Sequence, residues 1–250
     1  MYRFFTDREN IDTDNRTVLI KGEDQNHIKN VLRMKKGEEV SVMAVGDSRE
    51  YRCAVRSYPD DAVDLELLFI KESDTELPCE VVIYQALPKA DKMETVITKS
   101  VELGATRIVP VATKRSVVKL DEAKAAKKVE RWNAISESAA KQSKRAIIPQ
   151  VSQVLSLEEA LSDCADCNVR IIPYELAGPD TAGDTRRLIE SIEKGMKVAV
   201  FIGPEGGFTD EEIEAAKAAN VVPVTLGRRI LRTETAAMVV LSWLIYTQEI

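Results

Sequence analysis

The chain has 250 residues, 44% hydrophobic and 30% charged, with a formal net charge of −6. That mixture can bury one large core or two smaller ones, and it excludes a disordered or fibrous chain. No apolar run approaches the roughly 20 residues of a membrane span, and Met1–Asp7 has no apolar signal core, so a cytoplasmic location is expected.

In chain order, the first 70-odd residues read as a small β-rich domain. Thr17–Lys21 is a short apolar strand, and Asp24–Leu32 a short helix stopped near Lys36-Gly37. Glu39–Val45, Glu50–Ser57 and Ala62–Ile70 then alternate apolar and polar positions, as half-buried strands do. Gly46-Asp47-Ser48 and Pro59-Asp60-Asp61 supply the turns. A meander this short closes into a small barrel or packs on the helix. The polar stretch Lys71–Pro78 reads as a linker, which sets domains of 1–72 and 79–250.

Beyond Glu80 the pattern changes to continuous apolar runs, suited to strands covered on both faces. These are Val81–Leu87, Arg107–Val111, Val169–Pro173, Val198–Ile202 and Val221–Leu226. Helical stretches lie between them: Met93–Leu103, a long one around Asp121–Lys144, Asp184–Glu193 and Asp210–Ala219. A strongly apolar helix, Ala236–Tyr246, comes last. This alternation predicts an α/β domain with a mostly parallel sheet.

Cys164 and Cys167 have C-x-x-C spacing, but there is no second pair and the one histidine, His27, is distant. No metal centre is therefore expected, and Ser-His-Asp or Cys-His chemistry finds little support. Charge is unevenly placed. Residues 88–146 carry 14 Lys and Arg against 7 Asp and Glu, whereas 1–78 carry 12 against 17 and 147–250 carry 9 against 16. Such a block can supply phosphate contacts, and equally it can be a solvated helix face.

The chemistry concentrates in two strand exits. Lys197–Ile202 runs into Gly203, Gly206 and Gly207, and Thr209 with Glu212 forms a capping box for the next helix. Ligands of open α/β sheets sit beyond the carboxyl ends of the strands, where this loop falls. Neither the dinucleotide fingerprint nor a P-loop is present. The second exit passes through Gly227 and sets Arg228, Arg229, Arg232 and Glu234 ahead of the apolar last helix. Arginines at a helix N-terminus oppose the macrodipole, so an anionic or polar ligand explains them better than structure does.

Ile202-Gly-Pro-Glu-Gly-Gly-Phe208 followed by Leu226-Gly-x-Arg-Ile-Leu-Arg-Thr-Glu-Thr-Ala236 resembles the bacterial 16S rRNA uridine-N3 methyltransferases, a family of the trefoil-knotted SPOUT class. Arg3-Phe4-Phe5, His27-Ile-x-x-Val-Leu-Arg33, Lys92-Met93-Glu94 and Lys99-Ser-Val-Glu-Leu-Gly104 extend the resemblance along the chain. It implies a SPOUT-type knotted, mostly parallel sheet with helices on both faces, and a small N-terminal PUA-like β-barrel that binds RNA.

It also implies S-adenosyl-L-methionine as cofactor. The lining would be Tyr174 and Leu176 in the loop after Ile172, then Ile202, Gly203, Pro204, Glu205, Gly206 and Gly207, then Leu226, Gly227, Ile230, Leu231 and Arg232. Arg232 would stabilise charge on the uracil carbonyls, Glu234 (or Glu205) would act as base, and Thr235 would help position the target. Arg3, Arg33, Lys89, Lys92, Lys99, Lys114, Arg115, Gln142 and Arg145 are the candidate contacts to 16S rRNA or the small ribosomal subunit. A homodimer through the C-terminal domain is implied, with Met238–Tyr246 at its interface or equally in the core. Phe4, Phe5 and His27 read as structural. The family's usual Glu-Gln-Ser/Cys-x-Arg is here Lys141-Gln142-Ser143-Lys144-Arg145, so no acidic role falls at its first position. Open alternatives are a SPOUT enzyme acting on a ribose hydroxyl or another base, a non-catalytic assembly factor, and a dinucleotide-dependent oxidoreductase.

Overall fold

Alternating apolar residues in the N-terminal part fold into a six-stranded sheet in the computed structural model, which describes residues 1–175 and 181–250. Its strands are β1 (Arg3–Thr6), β2 (Ile11–Asp12), β3 (Thr17–Ile20), β4 (Glu39–Ala44), β5 (Arg49–Ser57) and β6 (Val63–Glu72), in the order β1-β4-β5-β6-β3-β2. All pairings are antiparallel except β1 with β4. The inward set, including Val18, Ile20, Val40, Val42, Tyr51, Val63 and Leu65, forms one core. Thr6 Oγ1 donates to Leu19 O at 2.9 Å, drawing β1 to β3 and curling the sheet toward a barrel. The expected helix at 24–32 is a short α1 (Gly22–Asn26) continued by a π-turn, His27–Val31. Phe4 is buried, and the exposed His27 meets its ring edge-on at 6.1 Å.

The second sheet is parallel throughout. Its strands are β7 (Glu80–Ala86), β8 (Arg107–Ala112), β9 (Gln150–Val151), β10 (Leu155–Ser156), β11 (Val169–Pro173), β12 (Lys197–Ile202) and β13 (Val222–Val224). The order is β10-β8-β7-β12-β11-β13, with β9 also beside β8. Because strand side chains alternate between faces, the continuous apolar runs feed two cores. Val81, Ile83, Val198 and Val200 face α5 (Thr181–Glu190) and α7 (Thr233–Gln248). Val82, Tyr84, Ala199 and Phe201 face α4 (Leu157–Asp163) and α6 (Asp210–Ala218). The remaining helices are α2 (Lys92–Glu102) and α3 (Glu122–Ser143). No helix among the described residues is long and apolar enough to cross a membrane.

The chain divides into two compact units, residues 1–76 with 140–148, and residues 77–139 with 149–250. The sequence pattern predicts one continuous second stretch from 79, whereas the end of α3 and the turn after it group with the first unit. Within that unit Arg145 is the reason, since its guanidinium grips Glu76.

Candidate active site

All strands of the second sheet run the same way, so their carboxyl ends form one edge. The loops after β11, β12 and β13 meet there around a cleft of about 500 Å³. The two glycine-bearing exits line it together: Ile202, Gly203, Pro204, Glu205, Gly206 and Gly207 from one, and Leu226, Gly227, Ile230, Leu231 and Arg232 from the other. Tyr174 joins them; Leu176 lies outside the described residues.

The glycines are there for shape. A Cβ on Gly203 would stand 3.2 Å from the Phe208 ring, and Gly207 and Gly227 have φ of +67° and +103°, a region that L side chains rarely adopt. A Cβ on either of the last two would meet nothing within 4 Å, so the cleft wall there is bare backbone. The first loop is pinned by Arg115, whose Nη1 donates to Gly206 O at 2.9 Å and Phe208 O at 3.1 Å. Beyond it the expected capping box forms, with Thr209 N–H on Glu212 at 2.8 Å and Glu212 N–H on Thr209 at 3.3 Å.

α7 begins three residues earlier than the apolar pattern suggests. Arg232 is therefore its N-cap residue, and Glu234 stands in the first turn, where the helix dipole favours a carboxylate. Lys92, at the start of α2, joins the acids: its Nζ donates to Glu205 at 2.8 Å and lies 3.8 Å from Glu234 Oε2. Burial opposes charge on Glu205, but the bonds from Lys92 and from the Lys89 N–H outweigh it and hold its carboxyl below the ordinary range. A carboxylate held that way is a poor proton acceptor. Glu234 Oε2 is buried and receives no hydrogen bond among the described residues. Among the described residues, Arg228, Arg229 and Arg232 are exposed and their guanidiniums have no hydrogen-bond or ion-pair partner.

The expected RNA contacts separate into two groups. Lys89, Lys114, Arg33 and Gln142 are exposed; Lys99 is half-buried and paired with Glu102 at 2.7 Å. Arg3 and Arg145 instead turn inward. Arg3 binds Glu50 at 2.7 Å and the carbonyl of Lys144, with 7% of its side chain exposed. Arg145 is 2% exposed and forks onto Glu76. Neither guanidinium is presented to a phosphate, because each neutralises a carboxylate within its own unit. Arg115 and Lys92 likewise serve the cleft. All four cysteines are buried, and burial pushes Cys167 to about 11 and raises Cys164, leaving protonated, unreactive thiols. Among the described residues no group of three or more His, Cys, Asp or Glu could hold a metal ion.

Two cleft residues, and one buried behind them, are not apparent from the sequence pattern. Thr225 Oγ1 accepts the Gly227 N–H at 3.2 Å and shapes the second exit. Thr233 Oγ1 donates to Gly203 O at 2.6 Å and receives a bond from Gln85 Nε2 at 2.8 Å. Gln85 did leave a signal, as the polar residue within the otherwise apolar run Val81–Leu87.

Against known proteins, residues 75–245 match the family of RNA methyltransferase domains, and residues 20–68 match the RNA methyltransferase PUA domain. The chain is 38% identical over 235 residues to the ribosomal RNA small subunit methyltransferase E of Bacillus subtilis, covering 94% of this chain and 91% of that protein. Its fold is similar to a crystal structure described as a hypothetical protein, with a TM-score of 0.91, 37% identity and 99% and 98% of the two chains covered. It is also similar to the Neisseria gonorrhoeae ribosomal RNA small subunit methyltransferase E bound to S-adenosyl methionine, with a TM-score of 0.86, 31% identity and 99% and 98% covered. The bare-backbone cleft, the PUA match and this full-length likeness agree, and the chain belongs to the ribosomal RNA small subunit methyltransferase E family of RNA methyltransferases.

Proposed function

We propose that this chain transfers a methyl group from S-adenosylmethionine to N3 of one uridine in 16S rRNA. The observation that carries this reading is the convergence of both glycine exits on one cleft, with Arg232 on its wall, unpaired among the described residues, and Glu234 two residues on. The cleft fits such a cofactor. Its volume is within the roughly 300–1,000 Å³ of small-molecule sites, its bare stretches at Gly207 and Gly227 admit a flat ring, and Ile230, 85% exposed, offers apolar surface. Tyr174, Ile202–Gly207, Leu226, Gly227 and Ile230–Arg232 would hold it. Bound there, it supplies an electrophilic methyl on a sulfonium.

The chain's residues supply the rest. Glu234, whose Oε2 takes no hydrogen bond among the described residues and lies 3.8 Å from Lys92 Nζ, accepts the imide proton of uracil N3. Arg232 faces the charge that then spreads onto the flanking carbonyl oxygens. Lys92 keeps Glu205 charged and out of the acid–base step. Thr235 helps hold the base, which must be unpaired because N3 lies on its pairing edge. Lys89, Lys99, Lys114, Arg33 and Gln142 are the remaining candidate contacts to the RNA. The chain works in the cytoplasm as a homodimer through its C-terminal part. In support, Trp243, Tyr246 and Thr247 of α7 line a second, largely apolar groove of about 500 Å³ with Thr185 and Ile189.

The test is methyl transfer from labelled S-adenosylmethionine into undermethylated small subunits, with the product base mapped. N3-methyluridine is expected; label on a ribose hydroxyl, or none, rejects the reading. Arg232→Ala should lower turnover by about two orders of magnitude or more while cofactor binding, measured by calorimetry, survives. Glu234→Gln should behave alike. Near wild-type turnover in either removes that residue from its role.

A further inference from the structure

Gln85 is fully buried at the end of β7, and its Nε2 donates to Ala86 O at 2.9 Å and to Thr233 Oγ1 at 2.8 Å. Thr233 Oγ1 is in turn 2.6 Å from Gly203 O. A carbonyl cannot donate, so the single hydroxyl proton of Thr233 is committed to Gly203. The bond from Gln85 must then arrive at a Thr233 lone pair, which commits the second of the two amide hydrogens. Chemistry thus fixes the direction of the relay, from Gln85 through Thr233 to Gly203. Gln85 Oε1 meanwhile is buried without a hydrogen-bond partner. A side chain kept only for packing would avoid that cost, because an apolar residue of the same length buries no orphan amide oxygen.

The ends of the relay matter. Gly203 opens the loop that lines one wall of the cleft, and Thr233 stands between Arg232 and Glu234 at the start of α7. We propose that Gln85 and Thr233 are positioning residues that lock the cofactor loop to the catalytic end of α7, so that cofactor affinity and placement of Arg232 and Glu234 are set together. This rests on the reading of the cleft as an S-adenosylmethionine site.

Thr233→Val keeps the side-chain shape and deletes the hydroxyl, stranding the Gln85 amide and the Gly203 carbonyl. Cofactor affinity by calorimetry should fall about tenfold, and kcat should fall with it, whereas Arg232→Ala lowers kcat far more than affinity. Thr233→Ser, which keeps the proton, should restore both to within about twofold. Measurements belong well below the melting transition of each variant, where a purely structural role would leave affinity and kcat unchanged. A folded Thr233→Val chain with wild-type affinity overturns the proposal. If that variant lacks a cooperative melt, Gln85→Met decides: it frees the Thr233 hydroxyl to rotate, and unchanged affinity and kcat would overturn the proposal equally. A wild-type chain that binds no S-adenosylmethionine overturns the earlier reading first, and this one with it.

Discussion

Replacing Arg145 by Met separates a structural arginine from an RNA-binding one. Arg145 Nε donates to both Glu76 oxygens at 2.9 Å, and the Ala146 N–H reaches Glu76 Oε1 at 2.7 Å. Removing one partner of a buried pair costs about 3–5 kcal/mol. Glu76 retains 23% side-chain exposure and its bond from Ala146, so the loss should be nearer about 2–4 kcal/mol. For a cooperative melt of the whole chain that is a fall of about 5–15 °C in Tm. Adding Glu76→Gln should recover part of it, because the stranded charge then disappears. Scanning calorimetry reads the melt, and titration of an rRNA fragment at several salt concentrations reads binding. A phosphate contact contributes about 0.7–0.9 to the slope of log K against log salt; Arg145→Met should leave that slope unchanged. A variant that melts within a degree or two of wild type, with a slope shallower by nearly one, would refute the assignment.

Gly104→Ala should also destabilise without touching the cleft. Gly104 has φ +96°, and a Cβ would lie 2.6 Å from Leu77 Cδ1, so backbone strain and a crowded Leu77 together should cost about 2–4 kcal/mol; chemical denaturation tests this, and an unchanged midpoint contradicts it. Arg228→Gln with Arg229→Gln should weaken RNA binding at every sequence tested and reduce the salt slope by about 1.4–1.8, with S-adenosylmethionine affinity retained. An unchanged slope would mean that these guanidiniums face only solvent.

Much of this arrangement is legible in the residues because local physics decides it. Thr209 and Glu212 cap α6 as their spacing requires, and the apolar runs of β7 and β12 divide into two cores because every run must cover both faces of a parallel sheet. Other features depend on partners far along the chain. β1 has four residues, too few to show alternation, and is held by a parallel neighbour that begins at Glu39. Arg145 reads as a solvent-facing cation until Glu76, 69 residues earlier, is folded against it. The α4 helix carries a full capping box, Ser156 with Glu159, yet its seven residues are too short to establish helical period. The apolar pattern alone points to a start of α7 at Ala236, because Thr233 and Glu234 break that pattern while still continuing the helix, and this hides Arg232 as its N-cap residue.

Charge shows the same division between local and distant causes. The block 88–146 is the basic one by composition, yet its cations are extensively spent inside the molecule: Arg145 on Glu76, Lys141 on Asp24, Arg107 on Asp163, Arg131 on Glu94 and Lys99 on Glu102. The segment 147–250 is acidic by composition, yet it holds Arg228, Arg229 and Arg232 on one wall of the cleft, their guanidiniums without an ion-pair partner among the described residues. An RNA phosphate responds to the local field, and within a Debye length of about 10 Å an unpaired guanidinium outweighs a carboxylate neutralised elsewhere. A net charge of −6 is therefore compatible with an RNA substrate: the acidic surplus is spread over the chain, while three guanidiniums with no ion-pair partner among the described residues line the cleft.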